Sequence, residues 1–334
     1  MQKIFLLFIG LVTGQLLFAQ TEDSLQKVAM KQAQAGDFDA SYRTLNAALK
    51  QKPNDLALLK DQAYICYLKR DFVTGLTVSQ ALVQRPDADE QCYQIMGNIY
   101  KELAEFKEGA KMYRSALQKF PASGVLYSEY GDLLMQDHDM KDAISTWEKG
   151  IQVDVNNNSN YYYASKYYFA TNNLLWGLLY GEIFVNIESY TQRTTEIKDL
   201  LYAGYKKLFT GNTLQSTNSG SKGIAKAISD VLVKDASPIS GDTILAISAI
   251  RTKFIVDWVN SGQAKVYPFR LFDLHRQLIE SKAFDAYNVW LFGASADEKK
   301  YNAWQKQNAA QVDQWQQLLH NVVFKIPAGQ YYTD

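Results

Sequence analysis

Residues Glu90–Ser123 read EQCYQIMGNIYKELAEFKEGAKMYRSALQKFPAS, and this stretch decides the fold. Its first part sets Tyr93, Met96, Gly97 and Tyr100 at helical spacing. Its second part does the same with Gly109, Tyr113 and Ala116, before Phe120-Pro121 ends the run. The same signals recur outward from here. Pro53, Pro86 and Pro121 are spaced 33 and then 35 residues, and Gly97 and Gly131 lie 34 apart. A period near 34 marks a stack of helix-turn-helix units.

The following unit, from Gly124, carries Tyr127, Tyr130, Gly131, Leu134, Ala143 and Trp147, with Val155 where a Pro is expected. The unit from Glu22 keeps Gly36-Asp37-Phe38, Leu45, Ala48 and Pro53. The one from Leu56 keeps Ala63, Asp71-Phe72, Gly75 and Pro86, and a degenerate one from Asn158 keeps Tyr161, Tyr168, Gly177 and Gly181. These residues resemble the tetratricopeptide repeat pattern: aromatic, Leu-Gly, Tyr, then small, aromatic, Ala and Pro. The resemblance implies an all-α fold, a right-handed helix-turn-helix solenoid, and a role in binding other proteins. The repeats fall at 22–55, 56–89, 90–123, 124–157 and 158–191, with a following helix that takes the solenoid, 22–206, to about Lys206. Small residues at Gly97, Gly109 and Ala116 let paired helices approach closely. No unit buries its apolar face alone, so stability comes from stacking.

Residues 1–20 read as a signal peptide. Lys3 supplies the positive start, Ile4 to Phe18 the apolar run, and Ala19-Gln20 a cut before Thr21-Glu22-Asp23-Ser24. Gly10, Gly14 and Gln15 interrupt a run already short for a membrane span of roughly 20 apolar residues. No Cys follows it to accept a lipid. The mature chain is expected to be soluble and exported, periplasmic or extracellular, with no membrane insertion after signal removal.

With 35 basic and 35 acidic residues, the formal charge is zero. That balance gives no electrostatic footprint for nucleic acid and no polybasic patch for anionic lipid. The cysteines are Cys66 and Cys92. In the repeat register they sit on first helices of adjacent units, offset by about 12 Å along the axis, beyond the reach of a disulfide. Two buried thiols are expected.

Residues 207–223, with Gly211-Asn212-Thr213 and Ser216 to Gly223, form a small polar run that reads as a linker. Beyond it, 224–334 keeps helical spacing without the period, as a C-terminal helical bundle or cap. Ile247, Ile250, Phe254 and Trp258 make one stripe, and Leu271, Phe272, His275, Leu278 and Ile279 another. Trp258, Trp290, Trp304 and Trp315 lie here. They are either the core of this region or the walls of an aromatic pocket. Whether the region is a separate domain or a set of degenerate repeats stays open.

Chemistry is sparse. His138, His275 and His320 stand apart, so no metal site is expected. Ser219-Gly220-Ser221-Lys222 has the Ser-x-x-Lys spacing of penicillin-recognising enzymes but lacks its companion elements. No catalytic residue and no cofactor is assigned.

The repeat resemblance instead implies a groove lined by inner positions of the first helices. These are Lys60, Tyr64 and Tyr67; Gln94, Asn98 and Lys101; Ser128, Asp132 and Met135; and Tyr162, Lys166 and Phe169. Aromatic platforms mixed with amides and single charges suit another protein or an extended peptide. The expected function is an exported scaffold for protein–protein interaction, in cell-envelope assembly. The alternative is an envelope enzyme, a hydrolase or glycan-acting, with its site in the C-terminal region.

Overall fold

The computed structural model describes residues 25–210, 212–235, 243–321 and 324–333. The expected signal peptide lies outside them. Every regular element among the described residues is a helix.

The first helices of the repeats are α1 (25–34), α3 (Leu56–Leu68), α5 (Glu90–Glu102), α7 (Gly124–Gln136) and α9 (Asn158–Ala170). Their partners are α2 (Phe38–Gln51), α4 (Phe72–Val83), α6 (Phe106–Lys119), α8 (Met140–Val153) and α10 (Leu174–Ile187), followed by α11 (Gln192–Leu208). From α3 to α11 the odd-numbered helices start every 34 residues. Local chemistry keeps that beat. The residues before them, Asp55, Asp89, Ser123, Asn157 and Thr191, each accept a backbone N–H of the first turn on a side-chain oxygen.

The turn inside each pair is equally regular. Gly36, Arg70, Ala104, His138 and Asn172 all have positive φ, between 54° and 80°. Each closes a Schellman motif: the Ala104 N–H reaches the Lys101 carbonyl and the Glu105 N–H that of Tyr100. His138 therefore holds a turn position.

Size complementarity seals the pairs. A Cβ on Gly97 would stand 1.9 Å from the Tyr113 hydroxyl, and one on Gly131 would stand 2.3 Å from Trp147 Nε1. Both glycines thus sit at helix contacts with no space for a side chain, as the sequence leads one to expect. One repeat later the sizes reverse: Ser165 stands where Gly97 and Gly131 stand, and Gly181 faces it, where a Cβ would stand 2.8 Å from the Ser165 hydroxyl.

Helix contacts divide the chain into two compact units. The first comprises residues up to Pro121 with Asp132–Asp139, and it holds Cys66 and Cys92 as buried free thiols. The second comprises Ala122–Gly131 and residues from Met140 on. It contains α12 (Thr213–Gly220), α13 (Gly223–Asp235), α14 (Thr243–Asn260), α15 (Gln263–Val266), α16 (Arg270–Glu280), α17 (Phe284–Gln307) and α18 (Ala309–Asn321).

Two features add to the sequence reading here. The stretch read as linker carries helix α12, because Leu214 buries its side chain and anchors a turn of otherwise polar residues. The α16–α17 hairpin has the turn of a repeat: Lys282 has φ 59°, its N–H reaches the Ile279 carbonyl, and the Ala283 N–H reaches Leu278. Its Phe284-Asp285-Ala286 even matches Phe38-Asp39-Ala40. Helix α17 breaks at Asp297, whose φ −165° and ψ 103° are extended, and folds Tyr301 back against Gly293.

Candidate functional site

Four inner-register positions belong together: Tyr64, Asn98, Asp132 and Lys166 recur every 34 residues. Tyr64 is 41 % exposed and stacks on Tyr67 with ring centroids 6.1 Å apart. Gln94, Asn98 and Lys101 are half-buried, on the helix α5 that packs beside α3.

The lysines of this register are engaged with the next repeat. Lys60 Nζ lies 2.6 Å from Asp89, Lys101 lies 2.8 Å from Asp132, and in the second unit Lys166 lies 2.6 Å from Glu196. Each cation thus ties one first helix to its successor. Such pairing leaves less charge available to capture a peptide carboxylate.

The second unit's candidates are mostly packed away. Ser128 is 3 % exposed and Tyr162 8 %. Tyr162 also donates its hydroxyl to Glu196 at 2.6 Å. Phe169 fills the space at Gly177 and Gly204, 3.1 and 2.6 Å from where their Cβ atoms would stand. The exposed aromatic part of the register is in the first unit, around Tyr64, while Lys166 in the second unit keeps a part-exposed side chain bound to Glu196.

A second feature was not singled out from the sequence. Glu182 is the sole charged residue of α10, LLWGLLYGEIFVNI, and it is buried. Its Oε1 accepts from the Arg251 guanidinium, from His275 Nε2 at 2.8 Å and from the Tyr287 hydroxyl at 2.8 Å. Its Oε2 accepts from the Tyr205 hydroxyl at 2.9 Å. Arg251 also donates to Asn288 Oδ1, and Asn288 in turn donates to Ser248 at 3.1 Å. Tyr205 and Phe284 stand around the guanidinium, with ring centroids at 5.0 and 5.2 Å. The cluster joins α10, α11, α14, α16 and α17.

Burial alone would raise the Glu182 carboxyl, but the charge of Arg251 outweighs it. With the help of His275 and Tyr287, that charge holds the group far below the usual carboxylate range. Burial pushes His275 the other way and keeps it neutral, against the pull of Glu182. An ionised carboxylate only accepts, so the imidazole hydrogen sits on Nε2. One anion, one cation and a neutral imidazole balance. The adjoining cavity, lined by Tyr205, Phe254 and His275, measures about 30 Å3, space on the scale of one or two waters. This geometry suits a pin between helices. A lone Glu in an apolar helix was the signal available for it.

Lys198 on α11 has a different environment. Its Nζ lies 3.4 Å from the centroid of the Trp290 ring and donates to the Trp290 carbonyl at 3.0 Å. Burial pulls it down to about 7. Trp258 and Trp315 are core residues, 1 % and 3 % exposed. Trp290 and Trp304 are half-buried and line a small cleft with Tyr190 and Tyr301. Trp258 and Trp315 follow the core account, and the cleft at Trp290 and Trp304, about 30 Å3, is of water size.

Among the described residues no helix is long and apolar enough to cross a membrane. No family model matches the chain. Solved structures with a similar fold include a thermophilic tetratricopeptide repeat protein of Thermus thermophilus. It is 14 % identical, with 54 % of this chain and 98 % of that one covered at TM-score 0.46. MamA residues 41 to the end, from Desulfovibrio magneticus RS-1, is 13 % identical over 54 % of this chain and 94 % of its own, at 0.38. A tetratricopeptide repeat protein from Parabacteroides merdae is 15 % identical over 73 % and 93 %, at 0.42. These are likenesses of fold alone. The tetratricopeptide-type architecture stands on this chain's own period, turns and glycine seams.

Proposed function

We propose that this chain is an exported protein-interaction module of the cell envelope. Its ligand is an extended peptide or helix of another protein, held on the inner register of the first unit. The observation that carries this reading is Tyr64, an aromatic ring left exposed on a helix whose other large apolar side chains are buried or half-buried. Aromatic side chains that become buried on binding tend to dominate interface energy. Asn98 follows at the same register on α5, and its amide, with that of Gln94, offers both donor and acceptor to a peptide backbone. The apolar run at residues 4–18 supports export, and the zero net charge favours protein over nucleic acid as partner.

An enzymatic role has weaker support. The cluster around Glu182 is closed and charge-balanced, and Asp257 faces Asp235, which Lys253 holds at 2.9 Å. Asp285 accepts from Ser248 at 2.7 Å, and Glu280 accepts from Arg276 at 2.8 Å on the same helix.

The test is capture from envelope extract by the immobilised mature chain, compared with a Tyr64→Ala/Asn98→Ala variant. Lys101 is spared because it holds Asp132. Capture should fall on the order of tenfold, about 1.4 kcal/mol, with the melting temperature nearly unchanged. Undiminished capture by the folded variant would place recognition on another surface.

A further inference from the structure

The last described residues, 324–333, form neither helix nor strand, yet they are held by a dense set of directional contacts in the second unit. Phe324 and Ile326 are buried, at 8 % and 3 %, while Lys325 and Pro327 between and after them are exposed. That alternation is the signature of an extended chain lying on a surface. A turn follows, with Gly329 at φ 76° and the Gln330 N–H on the Pro327 carbonyl.

The surface grips both backbone and side chains: Gln152 Nε2 donates to the Tyr331 hydroxyl at 2.6 Å, and the Tyr332 hydroxyl donates to the Pro268 carbonyl at 2.9 Å. Asn156, in the turn between α8 and α9, donates through Nδ2 to the Ile326 carbonyl at 3.0 Å and accepts the Ile326 N–H on Oδ1 at 2.9 Å. This amide reads both backbone groups of one residue, whatever its side chain. The Tyr180 hydroxyl on α10 lies 3.0 Å from the Tyr332 carbonyl and 3.1 Å from Glu148 Oε1, its one proton shared between the two acceptors. The Arg270 N–H, at the start of α16, donates to Gln330 Oε1 at 2.6 Å. None of these groups lies on the inner register.

The tail is an imperfect occupant. The Arg270 guanidinium lies 5.1 Å from the Phe324 ring centroid, but its Nη1 is buried with no hydrogen-bond partner. Residues 324–333 include no Asp or Glu to supply one, and Asp334 lies outside the described residues. Leaving a charged donor unmade in this way has a cost that a carboxylate would remove.

We infer that the surface formed by Asn156, Tyr180 and Arg270 is a receptor for an extended peptide, and that the chain's own tail is its displaceable resident. The partner it fits is a segment of another protein with an aliphatic side chain in the Ile326 seat and an acidic residue two positions earlier, facing Arg270. Binding of that segment releases the tail, so the site is self-competed.

The probes are two labelled synthetic peptides, one with the sequence of residues 324–334 and one carrying Phe324→Glu, added to the full chain. The Phe324→Glu peptide should bind more tightly than the parent peptide. At saturation it should speed hydrogen exchange at the Ile326 amide of the full chain on the order of tenfold, with α8 and α10 still protected. A full-chain Ile326→Asp variant weakens the resident tail without touching the receptor, and should bind the same probe on the order of tenfold more tightly. Failure of both peptides to bind the parent chain and the folded Ile326→Asp variant would overturn the inference. So would binding that leaves Ile326 exchange unchanged. Equal affinity of the two peptides would overturn the acidic preference. Should Ile326→Asp fail to fold, the exchange measurement on the parent chain decides alone.

Discussion

Glu182 and Arg251 form a buried ion pair across 69 residues of sequence, with side chains 1 % and 4 % exposed. Each charge is tolerated because the other is there, and because His275, Tyr205, Tyr287 and Asn288 complete their hydrogen bonds. The pair therefore ties the last repeat to the C-terminal helices through mutual dependence.

Removing one partner should be far worse than removing both. Glu182→Leu or Arg251→Met alone leaves a buried unpaired charge and is expected to cost roughly 3–5 kcal/mol. The double variant should recover much of that loss. Urea unfolding of the four proteins measures it, and additive losses would mean the two residues do not act as a pair.

Acid should loosen the same cluster in two stages. The unfolded chain takes up a proton on His275 near its ordinary value of about 6.5, while the folded chain keeps it neutral to lower pH. The His275 contribution is therefore full above that value and is lost as pH falls through the folded value. Glu182, held low in the fold, adds a second loss from about pH 4.3 downward. His275→Gln should give a flatter stability profile than the parent between neutral pH and pH 5. Parallel profiles for parent and variant would count against a buried neutral histidine.

Lys198 extends the rise of stability with pH to the alkaline side. Its folded value of about 7 lies below that of the unfolded chain. The unfolded state thus binds more protons from about pH 7 to about 10.4, and stability rises with pH across that window. Lys198→Met should flatten this rise and raise the melting temperature at pH 7. A variant that melts lower would show that the contact with the Trp290 ring outweighs burial.

Seven residues apart, two small side chains should respond with opposite signs. Gly97→Ala drives a Cβ into the Tyr113 ring, which is fully buried and has nowhere to go, and should cost roughly 1–3 kcal/mol. Helix propensity alone predicts a gain. Ala104→Gly relieves a left-handed residue, φ 54°, and should stabilise by about 1 kcal/mol. Adding Tyr113→Leu to Gly97→Ala should restore part of the loss. Thermal melts at one pH separate these cases.

The repeat was legible in the chain because its signals are local. A cap at Asp89 or Asn157 acts within one helical turn, and a left-handed residue at Ala104 or His138 acts within one hairpin. The glycine seams were legible too, since Gly97 and Gly131 keep the period. Part of the same regularity went unread: the caps from Asp55 to Thr191 are as periodic as the prolines, and the α16–α17 hairpin repeats a Phe-Asp-Ala already seen near the start.

Register could say which face a residue holds, but not what covers that face. Ser128 and Tyr162 hold the register expected to line a groove but are buried, and Tyr162 reaches Glu196 on the next helix. Nothing local distinguishes them from Tyr64. Spacing likewise marks Ile250, Phe254 and Trp258 as a stripe, yet is silent on Arg251 beside it meeting Glu182. That meeting, and the seating of Ile326 on Asn156 across 170 residues, depends on how whole helices pack. Caps, turns and helical period are decided by bonds a few residues apart and are written in order along the chain. Partners far apart in sequence are chosen by the sum of many weak contacts, which exists only once the helices are stacked.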